Sequence, residues 1–414
     1  MVNETSIPAG YKKTEVGVIP EKWETKKLGE IAEINTDNLM NNTNANYSFT
    51  YVSLEDVQQG LLKNSTKCVF DSAPSRARRK VQKSDVLLGT VRPNLKSHLF
   101  IKNDVKDFIC STGFAVIRSN KNEVKAEYIY YHLFGYIIER QINTLLIGSN
   151  YPAINCKEIK SLTIPLPPLP EQEAIASGLS DVDALITALD RLIVKKRNIK
   201  QGAMQQLLTG QKRLPGFVGK WEEKTLGEIG ECIIGLTYKP ENVKESGLLV
   251  LRSSNIIEES LAFDDNVYVN IKVPEKLVTK EGDILICVRN GSRELIGKCA
   301  LIKKKSVGIT FGAFMTVYRT PYFQYVFHQF KTHLIKKQIY ENIGATINQI
   351  TNKNLKSFQI PLPPLPEQEA IAQVLSDMDA ELEALEKKRA KYNAVKNGMM
   401  HQLLTGKTRL ELRK

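Results

Sequence analysis

Thirteen residues, "IPLPPLPEQEAIA", occupy positions 164–176 and return unchanged at 360–372. A period of 196 residues is far longer than the units of a solenoid, so it marks duplication of a whole folded segment. The copies extend beyond this stretch. "KWETKKLGEI" at 22–31 returns as "KWEEKTLGEI" at 220–229, carrying both tryptophans, Trp23 and Trp221. "SDVLLGTVR" at 84–92 resembles "GDILICVR" at 282–289, and "QLLTG" at 206–210 recurs at 402–406. Segments 32–147 and 230–343 share little else. A fixed frame around two divergent inserts suggests one architecture reading two different targets. "TGQKRL" at 209–214 also parallels "TGKTRL" at 405–410, so the end of the chain begins the linker that opens the second copy and the termini are expected to lie close together.

Each copy of the motif leads into a long helix. Residues 171–209 and 367–405 contain no proline. Pro170 and Pro366 suit a helix entry, Glu171, Glu173, Glu367 and Glu369 suit its positive end, and Gly210 and Gly406 suit its stop. Apolar residues at Ile175, Leu179, Val182, Ile186, Leu189 and Ile193 follow the 4-3 spacing of a coiled-coil seam. Ile371, Leu375, Met378, Leu382 and Leu385 follow it in the second helix. Charge then sets the pairing. Residues 171–190 hold five acids and no base, and 191–213 hold seven bases and no acid. Residues 367–386 hold seven acids and no base, and 387–414 hold nine bases and one acid. Only antiparallel pairing sets each acidic half against a basic half. An antiparallel two-helix spacer follows, with the two divergent segments expected at its opposite ends.

The inserts mix strand-like and helical runs, which makes the chain an α/β (α+β) protein of two tandem globular domains separated by that coiled coil, a pseudo-two-fold internal repeat. The expected divisions are 1–165 for the first domain, 166–210 for the first helix, 211–361 for the second domain and 362–414 for the second helix with its tail.

Composition excludes several functions. The six cysteines form no C-x-x-C pair and the five histidines no metal-spaced pair, so neither a zinc site nor a disulfide frame is expected. No phosphate-binding glycine loop, dinucleotide fingerprint or amino-methyltransferase motif is present. No run of 18 apolar residues and no signal peptide is found, which places the chain in the cytoplasm away from membranes. The net charge of +13 favours a polyanionic partner. The DNA candidates are basic and amide residues in the inserts: Arg76, Arg78, Arg79 and Lys80 of "RARRK", Arg92 and Lys96 after the first matched strand, and Asn150 and Tyr151 of "GSNYPAI". In the second insert they are Lys272 and Lys276, Arg289 and Arg293, and Asn348 and Gln349 of "GATINQI". Arginine matches the guanine edge, whereas lysine and amides also contact phosphates. The plainer alternative is a solvated basic surface.

Two "IPLPPLPEQEAIA" motifs leading to helices that end "QLLTG", with two variable domains opening "KWE…LGEI", resemble the specificity subunit of type I restriction–modification enzymes over essentially the whole chain. The resemblance implies two target-recognition domains that each read one half of a split, asymmetric double-stranded DNA site. The helices set the unread gap. The chain itself carries no cofactor and no catalytic residue. Two methyltransferase subunits bring S-adenosylmethionine and modify adenine, and restriction subunits using ATP and Mg cleave unmodified DNA. Partner binding falls on the repeated elements, represented by Pro167, Leu169, Glu171, Gln172, Pro363, Leu365, Glu367 and Gln368. Two other functions remain open at this point: a DNA-recognition fragment whose methyltransferase or nuclease part lies on another chain, and a structural scaffold without DNA contact.

Overall fold

The computed structural model describes residues 7–146, 152–344 and 347–410. The chain divides into two compact units, 1–190 with 387–414 and 191–386. Each unit therefore takes the first half of one long helix and the second half of the other, a division that the four consecutive segments of the sequence do not anticipate.

In the first unit, the strand Glu24–Lys27 pairs antiparallel with Thr163–Leu166, and the short helix Leu28–Ile31 follows the former. One four-stranded sheet runs in the order Leu99–Phe100, Val86–Gly89, Phe114–Ser119, Ala32–Ile34. A second runs Thr66–Val69, Ser48–Val52, Phe108–Ser111, Ala77–Val81, with its middle pair parallel. Helices Ala126–Phe134, Tyr136–Leu146 and Cys156–Ser161 complete the unit. The second unit repeats this plan. Glu222–Thr225 pairs with Gln359–Leu362, and one sheet runs Glu231–Ile234, Met315–Arg319, Ile284–Cys287, Cys299–Leu301. Its other sheet pairs Leu248–Leu251 parallel with Thr310–Phe311. Helices Phe323–Gln329, His333–Asn342 and Asn352–Ser357 close it. In both units a buried aspartate holds the first sheet by a two-pronged ion pair. Arg118 donates to Asp85 through Nε and Nη2 at 2.9 Å, and Arg319 to Asp283 at 2.7 and 2.8 Å.

The long helices span Leu169–Leu208 and Leu365–Leu404, 40 residues each. They begin three residues after the expected divisions at 166 and 362, with Pro170 and Pro366 inside the first turn, where a missing N–H costs nothing. Gly210 and Gly406 take φ of 71° and 72° just past the ends, the left-handed stop that glycine alone adopts freely. Ion pairs within each unit confirm the antiparallel direction. In the first unit Lys396 meets Asp183 at 2.6 Å and Arg389 meets Asp190 at 3.3 Å. In the second, Lys200 pairs with Asp379 and Lys196 with Glu381 at 2.6 Å. Each pair joins a basic half to an acidic half, as the charge pattern requires.

The helices also finish the cores. Ile175, Ala176 and Leu179 from one helix and Met400, Leu403 and Leu404 from the other enter the first unit's core beside Trp23 and Tyr128. Leu207, Leu208, Ile371 and Leu375 do so in the second unit beside Tyr325 and Phe358. Removing such apolar surface from water supplies roughly 1.5–3 kcal/mol per large side chain. Tyr11 Oη donates to the Gly406 carbonyl at 3.0 Å, so the N-terminal hairpin lies against the C-terminal stretch, as the parallel linkers suggest.

Candidate nucleic-acid interface

The repeated motif is mostly interior. Glu171 and Glu367 are buried, and each takes the same partners. Trp23 Nε1 donates to Glu171 at 3.1 Å, and Arg409 donates through Nε and through Nη2, the latter at 2.7 Å. Trp221 Nε1 donates to Glu367 at 2.9 Å, and Arg213 through Nε at 2.9 Å and through Nη2. Each arginine also sits over its tryptophan ring, at 5.7 and 5.9 Å. Gln172 Nε2 donates to the Pro167 carbonyl at 2.8 Å, and Gln368 Nε2 to that of Pro363 at 2.7 Å. Pro167 and Pro363 are buried as well. These six side chains are buried and already partnered within the chain, so whatever part they take in partner binding is to shape the surface around them. Of the eight partner candidates, Leu365 is exposed and Leu169 partly so.

Two glutamines that the sequence reading does not single out brace the strand leading to each motif. Gln141 exchanges hydrogen bonds with the Thr163 backbone at 2.8 and 2.9 Å. Gln338 does so with Gln359 at 2.9 and 2.8 Å. The recurring "QI" at 141–142 and 338–339 is the signal that could have found them.

Most of "RARRK" lies on a strand of the other sheet, Ala77–Val81. Alternation turns Arg79 to the same side as buried Ala77 and Val81, and partial burial lowers its pKa. Arg78 lies over Phe70 at 4.9 Å, Lys80 pairs with Asp37 at 3.2 Å, and Arg76 is exposed. Lys80 borders a cavity of about 340 Å³ lined by the amides Asn38, Asn42 and Asn44 and by Tyr47. At the matching place the second unit forms only a 3-10 turn, Glu275–Leu277. Lys272 and Lys276 lie exposed on that stretch and are not structural counterparts of the arginine strand.

The candidates that do come together sit where the matched strand ends. In the first unit Arg92 is exposed at φ 48° and its N–H donates to the Pro152 carbonyl at 2.7 Å. A non-glycine residue in this region costs about 1–3 kcal/mol, a strain found at functional sites. Lys96, at φ 53°, is tied to Glu139 at 3.1 Å. Asn150 and Tyr151 lie outside the described residues. In the second unit Arg289 forms a bridge with Gln349, and Asn290 N–H donates to the Asn348 carbonyl at 3.2 Å. Asn348 Nδ2 donates to the Gly291 carbonyl at 2.8 Å. Arg293 lies over Tyr340 at 4.4 Å and donates to its carbonyl at 3.3 Å. The bridges also reset the pairing of arginines: Arg289 corresponds to Val91, and Arg92 to Asn290, because Ile154 and Ile350 donate to Thr90 and Val288 respectively.

Among the described residues no cluster of His, Cys, Asp or Glu could hold a metal ion, and no helix is long and apolar enough to cross a membrane. An edge of arginine and amide side chains in the second unit, and Arg92 at the matching place in the first, are what remains among the described residues. The family model for the type I restriction modification DNA specificity domain matches residues 20–196 and again 219–394. The chain belongs to the type I restriction–modification specificity-subunit family. It is similar to the type I restriction enzyme MjaVIII specificity subunit of Methanocaldococcus jannaschii, 27% identical over 95% of this chain and 94% of that one. It also resembles the EcoKI specificity subunit of Escherichia coli, 25% identical over 74% and 70%. The type I S subunit of M. genitalium shares the fold at TM-score 0.59 and 17% identity, over 92% of this chain and 96% of that one. This specificity subunit thus carries two tandem specificity domains, and its part in the enzyme is DNA recognition rather than catalysis.

Proposed function

We propose that each unit reads one half of a bipartite, asymmetric DNA site, using the exposed edge at the end of its matched strand. Arg92 serves the first half, with Asn150 and Tyr151 beside it in sequence. Arg289, Arg293, Asn348 and Gln349 serve the second. The observation that carries this is the second unit's arginine and amide edge, fixed by backbone hydrogen bonds and open to solvent. Arg76, Arg78, Lys80, Lys272 and Lys276 add phosphate attraction, which is independent of sequence and falls with salt. Half-buried Arg79 steadies the strand that carries two of them.

In this proposal the paired helices fix the unread gap, and two methyltransferase subunits dock on the outer faces of the repeated elements, where Leu169 and Leu365 remain accessible. Those subunits supply S-adenosylmethionine and methylate adenine. Restriction subunits supply the ATP- and Mg-dependent step. The assembly works on cytoplasmic DNA. Replacing 32–147 by the corresponding insert of a relative, in the complex with methyltransferase subunits, is expected to change one half of the methylated motif. A change in both halves, or in neither, refutes separate reading.

A further inference from the structure

We propose that Arg289, lying over the Phe314 ring, reads a guanine in the half-site of the second unit. This inference rests on the proposed DNA reading and adds a specificity-determining pair to it. The Phe314 carbonyl accepts the N–H of both Val288 and Arg289 at 3.1 Å, which locks the end of one strand to the turn that leads into its neighbour, Met315–Arg319. The Arg289 guanidinium carbon lies 4.8 Å from the Phe314 ring centroid. That ring is 56% exposed, so it supports the arginine from the surface and not from a core. Among the described residues no carboxylate pairs with Arg289, in contrast to Lys96 on Glu139 and Lys80 on Asp37.

The two units differ at this point for a steric reason. Gly89 faces Phe114 and Cys287 faces Met315 across equivalent strands, which makes Gly113 the counterpart of Phe314. Thr90 N–H donates to the Gly113 carbonyl at 2.8 Å, as Val288 N–H donates to that of Phe314. A Cβ on Gly113 would stand 2.7 Å from Leu54 Cδ1, so the first unit has no room for a side chain there unless Leu54 moves. The aromatic support is therefore a property of one reader only.

The chemistry of the pair selects a base. Guanidinium presents a planar fork of N–H donors, and guanine alone offers two acceptors, O6 and N7, side by side in the major groove. An aromatic face beneath the fork restricts its rotation, so less freedom is lost when both bonds form. A lysine at this position offers a point charge without the fork.

The test uses the chain assembled with the methyltransferase subunits of its system, acting on duplexes randomised in both half-sites. The wild-type complex is expected to require a guanine in the half read by the second unit. Arg289→Gln should lower preference for that guanine about tenfold to a hundredfold, the range of one bidentate contact. Phe314→Ala should lower it less and at the same position, and Arg289→Lys should not restore it. The first half-site should be untouched by all three. A recognised second half without guanine, undiminished discrimination in Arg289→Gln, or equal loss in both halves overturns the assignment, and undiminished discrimination in Phe314→Ala overturns the part given to the ring. Both side chains are exposed, so folding is not at stake, and a thermal melt of each variant checks this. A wild-type complex that methylates without sequence preference refutes the DNA reading itself, and this inference with it.

Discussion

Glutamine at position 171 is the sharpest test of how the repeated motif works. The substitution keeps the side-chain volume and removes one charge from a site 2% exposed. The carboxylate accepts one bond from Trp23 and two from Arg409. With the amide oxygen in the Oε2 position, the bonds from Trp23 and from Arg409 Nη2 remain but lose the charge of their acceptor, and the NH2 group faces the Arg409 Nε–H, so the third bond is lost. Hydrogen bonds to a charged group contribute about 1.5–3 kcal/mol each. Arg409 is 41% exposed and regains water when released, which puts the loss at the low end, about 2–3 kcal/mol in all. For a folded unit of this size that lowers the unfolding temperature by roughly 5–10 °C. Scanning calorimetry gives the shift, and hydrogen exchange locates it. Faster exchange should appear in 19–31 and 169–179 and not in 221–229 or 367–375. Glu173→Gln is the control: it removes the same charge from an exposed pair with Lys125, where about 0–1 kcal/mol is at stake. An unchanged melt for Glu171→Gln, or a shift no larger than that of Glu173→Gln, refutes the clamp.

His132 and His328 are buried neutral, with pKa values pushed down to about 3, chiefly by burial; Lys331, Asp379 and Lys200 also act on His328. The unfolded chain takes up these protons near pH 6.5 and the folded chain does not, so the stability they carry is whole above pH 6.5 and lost as pH falls toward 3. Replacing both by phenylalanine should remove about 4 kcal/mol of the difference in unfolding free energy, taken from urea titrations, between pH 7 and pH 5, and an unaltered acid limb contradicts it. Inserting one heptad into each long helix adds about 10.5 Å of helix, which should lengthen the unread gap by roughly three base pairs in methylation mapping; an unchanged gap rejects the ruler role.

What could be read from the sequence is what is periodic. Seam residues such as Ile175, Leu179, Ile371 and Leu375 announce the helices by spacing alone, and the split of acids and bases along each helix is enough to orient the pairs Asp183–Lys396 and Asp379–Lys200. Features that depend on distant partners were opaque. Glu171 looks like any acid in a first helical turn, yet its partners lie 148 and 238 residues away. "RARRK" looks like a solvated basic run, and only its pairing along Phe108–Ser111, about thirty residues on, makes it a strand. Phe314 lies where the two inserts diverge, so no internal comparison points to it. Its role depends on sheet register, which a one-residue shift would invert.

The identity of the two motifs has a physical explanation within the chain. Pro165 and Pro361 each pair on a two-stranded ladder and each accept a tyrosine hydroxyl, from Tyr128 at 3.0 Å and Tyr325 at 2.9 Å. Pro167 and Pro363 each accept a glutamine amide, and Glu171 and Glu367 each bind one tryptophan and one arginine. The proline carbonyls are main-chain acceptors that any residue would supply, but changing the buried glutamate, glutamine, tyrosine or tryptophan leaves a donor or acceptor without its partner, at about 1–3 kcal/mol. That constraint acts independently in each unit and gives the same answer twice. Farther along the helices it lapses. Asp190 meets Arg389 in one unit, while Lys196 and Arg197 meet Glu381 and Glu386 in the other, and all of these pairs are solvent-exposed, where an ion pair adds about 0–1 kcal/mol. Sequence is held fixed where polar groups are buried and drifts where water can replace a partner. If so, Glu369→Lys should leave folding intact whereas Glu367→Lys should abolish it, although the two acids are two residues apart on one turn and differ chiefly in burial. Equal tolerance of both would break the link between burial and repetition.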